Sequence, residues 1–214
     1  MSGAATPPDA LWQANAYNFV GFSVSAQSPP TFAQFFAGSA AHNHNRLYRL
    51  SNDVWRRVTD PSAEGMRSGE AFWIYCDGAS KYQGPLQVET TSRQGILLGS
   101  GSDVMTLRNP TDHPVTPTIQ HVPMGTDSVP LSIVITALGD KTVPIQSLAV
   151  PQPDGAWTQP LPPLEAGAAI QVPFQLRTQA ATKFMTGSLL KITTDVGTEV
   201  WLPVVAMRKD LENQ

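Results

Sequence analysis

A single cysteine, Cys76, stands in a chain of 214 residues, so no intrachain disulfide can brace the fold. Charge is scarce as well: Asp, Glu, Lys and Arg make up 14% of the chain, against roughly 25% in an average soluble protein. The surface must then be built largely from Ser, Thr, Gln, Asn and backbone, a composition more usual in extracellular β-proteins than in cytosolic enzymes. No basic block exceeds Arg56-Arg57 and the formal net charge is −3. Nucleic-acid binding and anionic-membrane binding both lose their electrostatic term. No run approaches the roughly 18–20 apolar residues of a membrane span. Cys76 reads as a small hydrophobe ending a buried strand. A reactive thiol needs an electropositive, partly open setting, and Asp77 is the wrong neighbour for that.

What is present favours sheets. Hydrophobic residues are 41% of the chain with a mean hydropathy of −0.14, enough for a packed core and against wholesale disorder. The 19 prolines are about twice the usual share, and they belong in loops and edge strands because proline cannot donate to a ladder. The most informative stretch is Met66 to Gly84. A turn at Ser68-Gly69 leads into Ala71-Phe72-Trp73-Ile74-Tyr75-Cys76, and a second turn follows at Asp77-Gly78. Such a run is expected to bury aromatic surface. If Trp73 is buried, its truncation to Ala costs about 3–5 kcal/mol; a cost below about 1 kcal/mol would turn it toward solvent.

Residues 1 to 10 read as a disordered lead-in. A first strand covers Tyr17 to Val24, with Phe22 and Val24 alternating with Gly21 and Ser23. Pro29-Pro30 stops it, Thr31 and Gln34 have capping-box spacing, and Phe32, Phe35 and Phe36 share one face of a short helix as core anchors. Arg46–Leu50 and Val54–Val58 form a hairpin around Ser51-Asn52-Asp53. The pieces NFVGFSV (18–24), LYRLSNDVWRRV (47–58) and MRSGEAFWIY (66–75) resemble a recurrent aromatic-rich β module of secreted bacterial and archaeal multidomain proteins. Tyr17-Asn18 departs from its Gly-Trp-Asn opening. The resemblance implies a structural or adhesive role with no catalytic residues.

From Gly95 onward aromatics thin out and β-branched residues and prolines rise. Strands are expected at Val104–Arg108, Val115–Val122, Leu131–Ala137, Thr142–Val150, Ala168–Leu176, Gly187–Thr194 and Glu199–Ala206, the last two joined by a turn at Asp195 to Thr198. Seven short strands with turns between them point to a two-sheet immunoglobulin-like sandwich. The segments VMTLRNPTDHPVTPTIQ, LPPLEAGAAIQVPFQL and GSLLKITTDVGTEVWLPV resemble landmarks of Hydin-type, major-sperm-protein-like immunoglobulin domains across residues 104 to 206.

Chemistry is hard to find. His42 and His44 sit in a polar loop without further ligands at zinc spacing, so they read as solvated, and His113 and His121 as turn caps or solvent-facing. Gly99 to Asp103 has neither the helix of a nucleophile elbow nor the lysine of a phosphate loop, and reads as a flexible loop. Asp53, Asp60, Glu64, Glu70 and Asp77 lie at turns, as do Asp103, Asp127, Asp140 and Asp154; turns favour Asp on backbone grounds alone. No catalytic residue, cofactor site or metal site is assigned. Trp157, in a long proline-rich connection rather than a strand, is the one candidate contact residue. It folds back as a lid on the core, the preferred reading, or projects to a sugar ring or protein partner.

The expected fold class is all-β: a small aromatic-rich β domain with one short helix (11–88), an immunoglobulin-like β-sandwich (89–208), and a tail (209–214). The expected function is a non-enzymatic structural or protein-interaction module of the bacterial exterior or envelope, a subunit or scaffold of a larger assembly. Protein partners, including self-association through edge strands of the second domain, are expected. A carbohydrate-binding module using Trp157 and a face of the aromatic domain is the alternative, and a hydrolase with an interdomain site comes last. MSGAATPPDALW has neither the basic start nor the apolar stretch of a signal peptide, so the chain is secreted with that segment already removed, or else cytoplasmic. Low charge favours the former.

Overall fold

The computed structural model describes residues 11–43, 46–99, 101–125, 128–135, 146–148, 156–208 and 211. The expected lead-in, most of the expected tail, His44, Asp127, Asp140 and Asp154 lie outside the described residues, as does much of the strand expected at 142–150.

The first sheet is wholly antiparallel. It contains β1 (Ala16–Gly21), β2 (Leu47–Ser51), β3 (Val54–Arg57) and β4 (Ala71–Cys76), in the order β1-β4-β2-β3. The β2–β3 hairpin turns where sequence places it, with Asn52 and Asp53 both at positive φ, as a two-residue turn between twisted strands requires. Between β1 and β2 lies α1 (Phe32–Phe36), whose Thr31 side chain accepts from the Gln34 amide while Gln34 Oε1 accepts from the Thr31 amide. A helix of this length has no stability of its own. Phe32, Phe35 and Phe36 hold it down by joining Val24, Leu47, Val58, Met66, Phe72, Ile74 and Tyr82 in one core on the inner face of the sheet.

Two five-stranded sheets form the immunoglobulin-like sandwich. One has β5 (Gln87–Thr90), β7 (Ser102–Arg108), β9 (Leu131–Ile135), β10 (Gln146–Leu148) and β12 (Ala169–Leu176), in the order β10-β9-β12-β7-β5. The other has β6 (Ile96–Leu97), β8 (Pro117–Pro123), β11 (Trp157–Pro160), β13 (Met185–Thr194) and β14 (Glu199–Met207), in the order β11-β8-β13-β14-β6. All pairings are antiparallel except β14 with β6. Buried residues alternate along β12 and along β13 up to Thr193, and Met105, Leu107, Val172 and Phe174 of one sheet share a core with Ile119, Leu190, Ile192 and Leu202 of the other. At 0% exposure Phe174 is the largest ring in that core.

β5, β6 and β11 are strands that periodicity does not reveal. The expected boundary at 88/89 falls inside β5, and Leu86 and Val88 belong to the sandwich core. Asp103 is the second residue of β7 rather than a turn residue; its carboxylate accepts from the Leu97 and Val104 amides and the Thr91 hydroxyl, pinning short β6 in place. The two cores are joined by backbone. Val24 bridges Thr198, Ser25 N–H donates to the Gly197 carbonyl (2.8 Å), and Glu199 N–H donates to the Ser23 carbonyl (3.1 Å). Gly197 has φ 88°, and an added Cβ would overlap the Ser28 carbonyl oxygen. Only glycine lets the segment pass so close.

Candidate functional site: the aromatic face of the first sheet

The strands of the first sheet sort their side chains by parity. Inward go Phe72, Ile74, Cys76 and Leu47, all 0–3% exposed. Outward go Tyr17 and Phe19 from β1, Trp73 and Tyr75 from β4, Tyr48 and Leu50 from β2, and Trp55 and Arg57 from β3. Register places these in crossing rows: Phe19, Trp73, Tyr48 and Arg57 are successive partners in one, Tyr17 and Tyr75 pair in the next, and Leu50 pairs Trp55 in a third. The expectation that this strand buries its aromatic surface therefore holds for Phe72 and not for Trp73. It is 37% exposed because the strand has only one core-facing side, and Phe72 and Ile74 occupy it.

Between the rings of Tyr17, Tyr48, Trp55 and Trp73 lies an open depression of about 380 Å³. Most neighbouring rings of this face stand at steep angles to one another: 72° for Tyr17 with Tyr48, 73° for Tyr17 with Tyr75, 83° for Phe19 with Trp55 and 65° for Trp55 with Trp73, while Phe19 and Trp73 are tilted at 40°. Edge-to-face contacts of this kind rigidify the array without covering it. Arg46 lies 4.5 Å over the Tyr75 ring. The Tyr17 phenol is raised above its ordinary value, first by burial and then by the neighbouring Tyr48 phenol, while Arg46 and Arg57 oppose the rise. Both guanidiniums flank the depression, Arg46 over Tyr75 and Arg57 across from Tyr48.

Other polar side chains are structural. Arg49, of the inward parity, is 6% exposed; it donates to Glu70 (2.5 Å), Glu64 (3.4 Å) and the Gly65 carbonyl (3.3 Å), and Glu64 also takes Arg56 (2.9 Å). Glu64 and Glu70 thus serve ion pairs beyond any turn role. His42 is not solvated: at 4% exposure it packs 4.2 Å from Trp12 and 5.0 Å from Phe36, with Nδ1 2.6 Å from Ser39 Oγ. Burial pulls its pKa down to about 4. His121 is likewise buried, under Trp157, whereas His113 is half-exposed beside Asp112. Burial, then Asp77, push the Cys76 thiol up, away from reactivity. Among the described residues no cluster of three His, Cys, Asp or Glu side chains is placed to hold a metal, and no helix is long and apolar enough to cross a membrane.

Trp157 opens strand β11 rather than lying in an irregular connection, because Trp157 to Pro160 pair with His121 to Thr118. Its half-buried ring packs against the sandwich core, 5.6 Å from the His121 ring. It belongs to a different sheet from the aromatic face. Sequence reasoning offered a face of the aromatic domain as an alternative platform without identifying Tyr17, Phe19, Tyr48, Trp55, Trp73 and Tyr75 as its residues. A signal was present: within each strand the aromatics with polar edges, Tyr and Trp, fall on one parity, and Phe, Leu and Ile mostly on the other.

No family model matches the chain, and no curated protein sequence matches it. Neither the aromatic-rich module nor the Hydin-type domain is therefore supported by a sequence match. Among solved structures, the ASH/PapD-like domain of human CEP192 (PapD-like domain 7) aligns with a TM-score of 0.34 at 7% identity, over 57% of this chain and 84% of that one. The Salmonella enterica SafA pilin in complex with the SafB chaperone gives 0.36 at 10% identity, over 59% of this chain and 57% of that one. The C-terminal domain of the Streptococcus agalactiae AgI/II polypeptide BspA gives 0.29 at 11% identity, over 94% of this chain and 82% of that one. At TM-scores this low the likenesses carry no inference for this chain; the sandwich is identified from its own strand order and core.

Proposed function

We propose that this chain is a non-enzymatic protein-interaction module, a subunit or scaffold of a bacterial surface assembly, and that it contacts its partner through the outer face of the first sheet. One observation carries the reading: six aromatic residues and Leu50 share that face, with Phe19 58% and Trp73 37% exposed and no element of the described chain over them. Monomers rarely leave so large an apolar patch uncovered, and buried Trp and Tyr anchors dominate protein contacts. Placement at the cell exterior rests on the low charge of the chain.

The ring geometry favours a protein over a glycan. Sugar stacking wants a flat ring face presented to solvent, whereas most neighbouring rings here stand at 65–83° to one another, with Phe19 and Trp73 at 40°, and border an open depression suited to aliphatic side chains. A photo-crosslinking phenylalanine at position 19, introduced in the native cell, is expected to give discrete protein adducts that disappear in a Trp55→Ala/Trp73→Ala background. Absence of adducts, or binding to a glycan array lost in the same double variant, would refute the reading.

A further inference from the structure

The charges on the aromatic face are one-sided. Arg46 and Arg57 are both exposed, one stacked on Tyr75 and the other directly across from Tyr48 in the ladder. Neither takes part in an ion pair among the described residues, while Arg49, Arg56 and Arg67 of the same half are all matched to Glu64 or Glu70. Those two glutamates are held on the inner parity or in the 61–70 loop, away from the face. None of the outward residues of β1 to β4 is acidic; Asp53 and Asp77 lie in the turns beyond the strand ends. The rows also give the face a direction. Tyr17, Tyr75 and Arg46 crowd one end, Leu50 and Trp55 the other, and Arg57 sits on the outer strand beside Tyr48.

Arg46 is the more telling of the pair. A guanidinium stacked on a ring has given up part of its hydration and keeps its in-plane N–H donors free for a planar, bidentate acceptor. A carboxylate fits that geometry. Placed beside a depression that takes aliphatic side chains, such a group asks for a ligand carrying both chemistries close together.

Building on the reading of this face as a protein contact, we propose that its occupant is an acidic, aliphatic-rich polypeptide segment. Leu, Ile or Val side chains seat between Tyr17, Tyr48, Trp55 and Trp73, and Asp or Glu carboxylates seat on Arg46 and Arg57. The apolar contacts supply affinity and the two arginines supply orientation, partner choice and association rate. A basic segment is rejected by the same charges.

The test uses the full chain and four fluorescent probes: short peptides alternating Val and Leu with Glu, with Gln or with Lys, and an oligogalacturonate. In anisotropy titrations the Glu peptide is expected to bind roughly tenfold or more tighter than the Gln peptide, with the Lys peptide weakest. Arg46→Gln/Arg57→Gln should erase the Glu preference while leaving Gln-peptide affinity unchanged, and raising salt should erode the same preference. Both sites are exposed, so an unchanged denaturation midpoint will show that the variant folds. If the Gln peptide binds as tightly as the Glu peptide but is lost in Trp55→Ala/Trp73→Ala, the acidic-partner inference fails and the reading of the face survives. If the oligogalacturonate alone binds, or no probe does, the acidic-partner inference fails as well. The first of those outcomes also turns the reading of the face toward a glycan, whereas the second leaves it to the crosslinking result.

Discussion

His42 makes stability pH-dependent between its ordinary and its folded value. Its ring fills the space between Trp12, Phe36 and Tyr82, and Nε2 finds no hydrogen-bond partner among the described residues. The only titratable group in that ring contact is Tyr82, whose phenol burial pushes up, so it stays neutral throughout. With an ordinary value of 6.5 and a folded value of about 4, His42 is neutral in both states above pH 6.5. Below that the unfolded chain takes up a proton that the folded chain refuses, so stability falls as pH falls, until the folded value is reached. At about 1.36 kcal/mol per unit, the loss over the window amounts to roughly 3 kcal/mol. The Asp60 and Asp112 carboxyls are held below their ordinary 3.8, Asp60 by Ser62 and Asp112 by His113, so their losses begin where that of His42 ends.

Urea denaturation of the wild type and of His42→Phe, run in parallel at several values from pH 7 to pH 4.2, isolates the term. Phe keeps the ring among its aromatic neighbours and cannot take a proton. Whatever its offset at pH 7, the variant is expected to gain on the wild type by roughly 3 kcal/mol across the series. A wild-type-to-variant difference that stays constant over this range would refute the placement of His42 in a dry aromatic core. So would a His42 ring resonance that titrates near 6.5 by NMR.

Three further outcomes follow from packing. Phe72→Ala should cost about 3–5 kcal/mol and Trp73→Ala only about 1–2, although Trp is the larger residue, because Phe72 is fully buried and Trp73 is 37% exposed; paired denaturant midpoints decide it, and equal costs would mean that both faces of β4 are covered. Gly197→Ala, at φ 88° and against the Ser28 backbone, should destabilise by about 1–3 kcal/mol and raise hydrogen exchange at the Ser25 and Glu199 amides; unchanged exchange would deny the backbone junction between the two cores. Arg49→Ala should cost about 2 kcal/mol, below the range for a fully buried pair because Glu64 and Glu70 are 18% and 26% exposed; a neutral result in a denaturation series would reduce Arg49 to a surface pair.

Local sequence was most readable where one physical rule acts alone. The Thr31–Gln34 capping box, the Asn52-Asp53 turn and the strands β12 to β14 each rest on neighbours a few residues apart, and each lies close to where it is expected. Short strands were hidden because their pairing energy comes from elsewhere. β6 is two residues long and exists because β14 and the Asp103 carboxylate receive it. Trp157 sits among prolines that read as loop, yet an edge strand tolerates proline, and β11 pairs on one side only. His42 looked solvated among Ala, His and Asn; the rings that bury it come from positions 12, 36 and 82, a long-range assembly that no local window contains.

The face itself marks the sharper limit. A strand such as Ala71 to Cys76 is apolar on both parities, and hydropathy alone then implies a strand buried on both sides. Only one side is covered: α1 and Tyr82 lie over the inner parity, and no element of the described chain lies over the outer one. Composition within the two parities carries the distinction that hydropathy misses. Phe72, Ile74 and Cys76 have no strong polar group to satisfy, whereas Tyr17, Tyr48, Trp55, Trp73 and Tyr75 each carry a hydroxyl or an indole N–H that a dry core would leave unpaired. Aromatics with polar edges suit a surface that is wet when free and dry when bound. An apolar strand whose Tyr and Trp residues all share one parity is therefore better read as half core and half contact surface, and exchanging that parity here to Thr and Ser should abolish partner contact at much smaller loss of stability than the same exchange on the Phe72 side.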